Sequence, residues 1–145
     1  MRLVLQRVTQ AEVLVAHQIV ARIGRGTVVL VGFARSDTDA TLARAAHHVL
    51  NLRIFADDRG KMNRSALEVG ASFLIVPEFT LVADVSQGLR PDFGPALPAP
   101  EASRLFEAFV AQLTQSGLTV AQGQFQAHML VSLANDGPVT FIVDA

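Results

Sequence analysis

The chain has no cysteine. That excludes a disulfide framework, a cysteine-based metal site and a cysteine nucleophile. Lys61 is its only lysine, so nearly every positive charge is an arginine. Arginine suits planar, two-point contacts with phosphate, although genome composition produces the same bias. Neither sign of charge dominates, with 12 basic against 13 acidic groups in 145 residues. A protein that coats nucleic acid is usually basic overall; this balance argues against that class and leaves a local basic face open. Long apolar runs are missing too. None approaches the roughly 20 residues needed to span a bilayer. The opening Met1-Arg2-Leu3-Val4-Leu5-Gln6-Arg7 alternates and carries charge early, unlike a signal peptide. The expectation is a soluble cytoplasmic protein without membrane contact.

Conventional catalytic groupings are lacking as well. His17, His47, His48 and His128 show no metal-ligand spacing. His47 and His48, adjacent on an expected helix, point about 100° apart. No serine lies in a nucleophile-elbow pattern. Gly24-Arg25-Gly26 lacks a third glycine and leads into a strand, so it reads as a turn and not as a phosphate loop. Thr80, taken alone, is an ordinary strand threonine beside a turn. Neither a metal nor a cofactor is expected.

What is present builds a core. Half of the residues are hydrophobic, enough for one domain spanning residues 1–145. Residues 2–8 and 11–16 read as strands, His17-Gln18 as a turn, and Ile19 to Ile23 as a return strand. Thr27 to Phe33 is a buried strand. Ser36-Asp37-Thr38-Asp39 starts a helix running to about Leu50, with Leu42, Ala45, Ala46, Val49 and Leu50 as its apolar stripe. Arg53-Ile54-Phe55 is a short strand and Ala71 to Val76 another buried one. Residues 84–99 read as loop. Pro100-Glu101 opens a second helix, with Leu105, Phe106, Phe109, Val110 and Leu113 inward and Gly117 as its stop. Strands are expected at 118–122, about 127–134 and 138–143, the last two a hairpin through Asn135-Asp136-Gly137-Pro138. The order predicts an α/β fold: a three-layer α/β/β single domain with two helices on one face of a mainly β core.

Several segments, read together, go further. "NDGPVT" at 135–140 and "FTL-AD" at 79–84 are joined by "LVLQRV", "IGRG--VLVG", "NLRIF-D--GKMN-S", "RP-F" and "G-F-A-M-V-L-NDGPVT". In this order and spacing, over nearly its whole length, the chain resembles the D-aminoacyl-tRNA deacylase family, also called D-tyrosyl-tRNA deacylases. The resemblance implies a homodimer that hydrolyses the ester joining a D-amino acid, or glycine, to the terminal ribose of tRNA. It implies a cis Gly137-Pro138 bond and a turn pushed into the partner's pocket, whose carbonyls exclude an L side chain by contact. It implies catalysis by positioning and by backbone N–H donation to an oxyanion, with the ribose 2′-hydroxyl assisting. Carried over by position, Glu78, Phe79 and Thr80 form the catalytic segment, with Thr80 lining the pocket and holding the substrate amine or a water. Gly137, Pro138, Pro77, Phe125, Ala127, Met129, Asn135 and Thr140 bind the substrate. The implied partners are a second copy of the chain and the 3′ end of aminoacyl-tRNA. From their place near the motif segments alone, Arg7, Arg53, Arg64 and Arg90 are expected as the phosphate contacts.

The chain departs from the family where it matters. Pro77-Glu78 stands in place of Ser-Gln, Gln126 in place of glycine, and Val82 in place of an aromatic. Pro77 has no N–H, and the Glu78 charge must turn away from phosphate or be paired by an arginine. A relative that edits other misacylated tRNAs also begins this motif with proline. Two other readings therefore stay open: a paralogue editing another misacylated tRNA, and a catalytically silent dimeric module that binds tRNA or another ligand.

Overall fold

The computed structural model describes residues 1–145. Its elements are β1 (Arg2–Val15), β2 (Gln18–Ile23), β3 (Gly26–Gly32), α1 (Asp39–Asn51), β4 (Phe55–Ala56), β5 (Met62–Arg64), α2 (Ala66–Val69), β6 (Ser72–Pro77), a 3-10 turn (Phe79–Val82), α3 (Ala99–Thr114), β7 (Val120–Gln122) and β8 (Leu130–Asp144).

Side-chain alternation in the central strands explains the layering. In β3, Val29 and Val31 join the core under the helices, while Val28 joins a second core on the opposite face. β6, parallel to β3, does the same: Phe73 and Ile75 face the helices, Leu74 and Val76 the other side. Strands covered on both faces read as continuous apolar runs. α1 contributes Leu42, Ala45 and Val49, and α3 contributes Leu105, Phe106 and Phe109, to the helix-side core. The other face is closed by β1 and β2 through Val8, Ala11, Val13, Ala21 and Ile23. β1 belongs to both layers, since its Leu3 and Leu5 lie in the helix-side core. The three layers are those expected from the sequence.

Four details differ from the sequence reading. The two expected opening strands are one, because β1 pairs with β3 through its first half, with β2 through its second, and with β8 along both. The gap at Thr9-Gln10 is a register shift opposite β8. The turn after it is Ala16-His17, both at positive φ (48° and 66°), as a two-residue hairpin connection requires. Residues 53–55 do not form a strand; β4 starts only at Phe55, and α2 was not anticipated.

The expected C-terminal hairpin does not form either. Residues 130–144 are one strand, antiparallel to β1 from Leu14↔Leu130 to Arg2↔Asp144. Val8 pairs with Asn135 and Gln6 with Thr140, so Arg7 alone stands opposite residues 136–139. Asn-Asp-Gly-Pro is thus an outward bulge in a continuous strand. Both apolar runs stay on the same neighbour because β1 is long enough to pair with each.

Candidate active site

β3 and β6 are parallel and end side by side, at Gly32 and Pro77, where a ligand crevice is expected in an open α/β sheet. Past Pro77 the chain holds its register once more, as the Glu78 N–H donates to the Val31 carbonyl at 2.8 Å. It then coils into the Phe79–Val82 turn. Gly32 permits this close approach: a Cβ there would lie 2.9 Å from the Glu78 carbonyl oxygen and 3.0 Å from Leu81 Cβ.

Beside this turn lies a cavity of about 790 Å³, bounded by the ends of β3 and β6, the start of α3, the segment 125–129 and the first half of β8. Pro77, Phe125, Ala127 and Met129, four of the positions expected to bind the substrate, line it together with Glu78 and Phe79 of the expected catalytic segment. Phe93, Leu97, His128 and Leu133 line it too, without having been anticipated. Phe93 lay within the "RP-F" segment, which offered a signal. Leu133 offered none, because its side chain faces the cavity only once β8 is continuous.

Two aromatic contacts shape the walls. Phe79 and Phe93 meet at 5.1 Å between ring centres and are both exposed at the rim. Phe125 rests on the buried Phe106 of α3 at 6.0 Å. Gln126, which follows, has φ +56°, a left-handed conformation that glycine adopts without penalty. That is the physical reason a glycine suits this position. The rim loop is fixed by Asp84, whose carboxylate accepts from the Ser86 N–H at 2.8 Å. That backbone bond, followed by the Ser86 hydroxyl, holds the Asp84 carboxyl below its ordinary value.

Glu78 is half-buried and is not paired by an arginine. Its Oε1 accepts from the Thr80 N–H at 3.0 Å and from the Thr80 hydroxyl at 2.6 Å, capping the 3-10 turn. Thr80 itself is exposed and stands beside the cavity, outside its lining.

The remaining expected positions lie apart from this chain's own cavity. Gly137 and Pro138 are exposed on the β8 bulge, and the peptide bond between them is cis. Asn135 braces the bulge from inside: its Oδ1 accepts from the Val139 N–H at 2.8 Å, and its Nδ2 donates to the Val139 carbonyl at 3.1 Å. Val139 is buried in the helix-side core. Thr140 accepts a hydrogen bond from Gln6 at 3.3 Å. Arg7, expected to meet phosphate, instead points inward. It donates to the Ile54 carbonyl at 2.6 Å and to the Asp136 carbonyl at 3.1 Å, and pairs with the Asp136 carboxylate. Arg64 is paired with Asp58 at 2.9 Å, and Arg53 touches Asn63 at 3.5 Å.

Comparison with known proteins adds an independent line. The family described as D-Tyr-tRNA(Tyr) deacylase matches residues 4–144. A D-aminoacyl-tRNA deacylase of Heliobacterium modesticaldum is 51% identical over 144 residues, covering 99% of this chain and 96% of the relative. One of Syntrophotalea carbinolica is 50% identical over 145 residues, covering 100% and 97%. A solved structure titled c-Myc DNA Unwinding Element Binding Protein superposes with a TM-score of 0.95 at 38% identity, covering 100% of this chain and 99% of that one. A probable eukaryotic D-amino acid tRNA deacylase superposes with a TM-score of 0.88 at 23% identity, which speaks to the fold alone.

Proposed function

Because the chain belongs to the D-Tyr-tRNA(Tyr) deacylase family and is accordingly a D-aminoacyl-tRNA deacylase, an ester hydrolase, we propose that it proofreads chirality with a site shared between two copies. The observation that carries this reading is the position of the Gly137-Pro138 bulge. It is braced by Asn135, Arg7 and Val139, yet it is exposed and lies outside its own cavity. A rigid, exposed pair of carbonyls suits a wall presented to a neighbour.

A second copy also answers an open sheet edge. β8 pairs only with β1, so its other edge is free along 15 residues, and Leu130, Phe141 and Ile142 are exposed on it. Long apolar edges of this kind are normally covered. The homodimer would set the bulge of one protomer at the cavity of its partner. There the α-carbon of an esterified D-amino acid fits, an L side chain meets backbone oxygens, and glycine has nothing to exclude. Glycine mischarged on tRNA-Ala is therefore a substrate as well.

Glu78, Phe79 and Thr80 form the segment beside the scissile ester. Pro77, Phe125, Ala127 and Met129 hold the acyl group and the terminal nucleoside. Barrier lowering comes from orientation and from backbone N–H donors, with no side-chain nucleophile. A separate hydrolytic site supplies discrimination that a single binding step does not reach. We place the reaction in the cytoplasm, where tRNA is charged.

The test is deacylation of D-tyrosyl-, glycyl- and L-alanyl-tRNA by the purified protein. Hydrolysis of the first two alone is expected. Hydrolysis of L-alanyl-tRNA would favour a paralogue that edits another misacylated tRNA, and hydrolysis of none a silent binding module.

A further inference from the structure

We propose that the Glu78 carboxylate binds the α-ammonium group of the esterified amino acid, an assignment that rests on the deacylase reading of this cavity. The walls of the cavity are mostly apolar, Gln126 and His128 are the other polar side chains among them, and Glu78 brings the only acidic one. Its two oxygens are not equivalent. Oε1 takes both Thr80 donors. Oε2 makes no hydrogen bond within the chain, and no lysine, arginine or histidine pairs with either oxygen.

A half-buried carboxylate at an apolar cavity, without a cation of its own, is matched by a ligand that carries one. The substrate class provides it. An amino acid esterified to ribose has a free α-amine next to the carbonyl under attack, and its protonated form is a small cation with three donors. Glu78 is also pre-positioned, because the Thr80 contacts fix its side chain before any ligand arrives, which reduces the entropy lost on binding. Holding the ammonium fixes one of the four substituents of the α-carbon. That gives the chirality test a fixed reference direction.

The experiment compares two esters that differ only in this group: D-tyrosyl-tRNA, and tRNA carrying the matching D-hydroxy acid. The wild-type protein is expected to prefer the amine in kcat/KM by roughly tenfold or more, the scale of a charge-assisted hydrogen bond. Glu78→Gln keeps an acceptor for Thr80 and removes the charge. Its ratio should fall to near one, mainly through slower turnover of the amine ester. Glu78→Ala, which removes the cap as well, should give the same ratio. The ratio is measured on one preparation, so a loss of folded protein cancels from it. If wild type cleaves both esters equally well, or Glu78→Gln keeps the wild-type preference, the ammonium assignment is wrong and the deacylase reading stands. If wild type cleaves neither, the deacylase reading fails and this assignment fails with it.

Discussion

At the scale of single residues, two of the departures from the family, Gln126 and Glu78, have physical answers that residue identity alone did not give. Gln126 occupies a left-handed backbone position, where a side chain costs on the order of 1 kcal/mol. Gln126→Gly is expected to raise stability by about 0.5–1 kcal/mol, the left-handed penalty less the greater freedom that glycine gives the unfolded chain, read as a higher urea midpoint. Glu78 was expected either to turn away from phosphate or to be paired by an arginine; no arginine pairs with it, and it caps its own turn through Thr80. No spacing rule announces a bond of this kind, because it depends on the 3-10 geometry after β6. Arg7 was expected at phosphate because it sits in a motif segment; in the fold its side chain is only 13% exposed. Arg7→Ala leaves the Ile54 and Asp136 carbonyls without their donor. It should cost about 1–3 kcal/mol of stability and leave the salt dependence of tRNA binding unchanged, whereas a true phosphate contact would reduce that slope by about one.

At the scale of elements, periodicity made α1, α3, β3 and β6 legible, because each buries a face or is buried on both sides. The strand pairing of β8 was not legible. A short polar segment with Gly-Pro marks a hairpin turn and a bulge equally well in sequence, and only a partner as long as β1 makes it a bulge. α2 was visible in principle through its capping box, in which Glu68 Oε2 accepts from the Ser65 N–H at 2.6 Å. With four residues it carries too little periodicity to register. The element contact that matters most for the proposed site is the 3-10 turn against β3 at Gly32. Gly32→Ala forces a Cβ into the Glu78 carbonyl and so displaces the turn that presents Glu78 and Phe79. We expect about 1–3 kcal/mol of destabilisation and a loss of deacylation larger than the unfolded fraction explains, measured by melting and single-turnover hydrolysis on the same sample.

At the scale of the whole molecule, balanced charge and a set of depressed carboxyls shape the response to acid. Asp57 is held low by the Lys61 N–H first and the Arg59 N–H next, Glu68 by the Ser65 N–H, and Asp144 by the Arg2 guanidinium. Each folded-state value lies below the ordinary one, 3.8 for the aspartates and 4.5 for the glutamate. The folded chain therefore binds fewer protons than the unfolded chain in that range. Their contribution is complete above the ordinary values and is lost as pH falls through the depressed ones. The urea midpoint should owe no pH dependence to these groups from about pH 5 to 7 and should drop below about pH 4. Asp57→Asn should flatten that acid limb. A midpoint that falls equally on the neutral side would assign the pH response to other groups.

The same scale holds the central claim, that the Gly137-Pro138 bulge excludes L-amino acids from a site it completes in another protomer. The backbone of Gly137 is at φ +149°, and a Cβ there would lie 2.5 Å from Val139 Cγ2 and 2.7 Å from the Val139 nitrogen, so Gly137→Ala must displace the bulge while leaving the cavity lining untouched. The measurement is the ratio of kcat/KM for D-tyrosyl-tRNA over L-tyrosyl-tRNA in wild type and in Gly137→Ala. Wild type is predicted to hydrolyse the D-ester and leave the L-ester at its spontaneous rate. The variant is predicted to lower the ratio by about tenfold or more, the discrimination that a misfit of one methylene gives in a fitted pocket. A variant that slows on the D-ester but rejects the L-ester as fully as wild type would contradict the claim, because L-exclusion would then reside in the cavity walls.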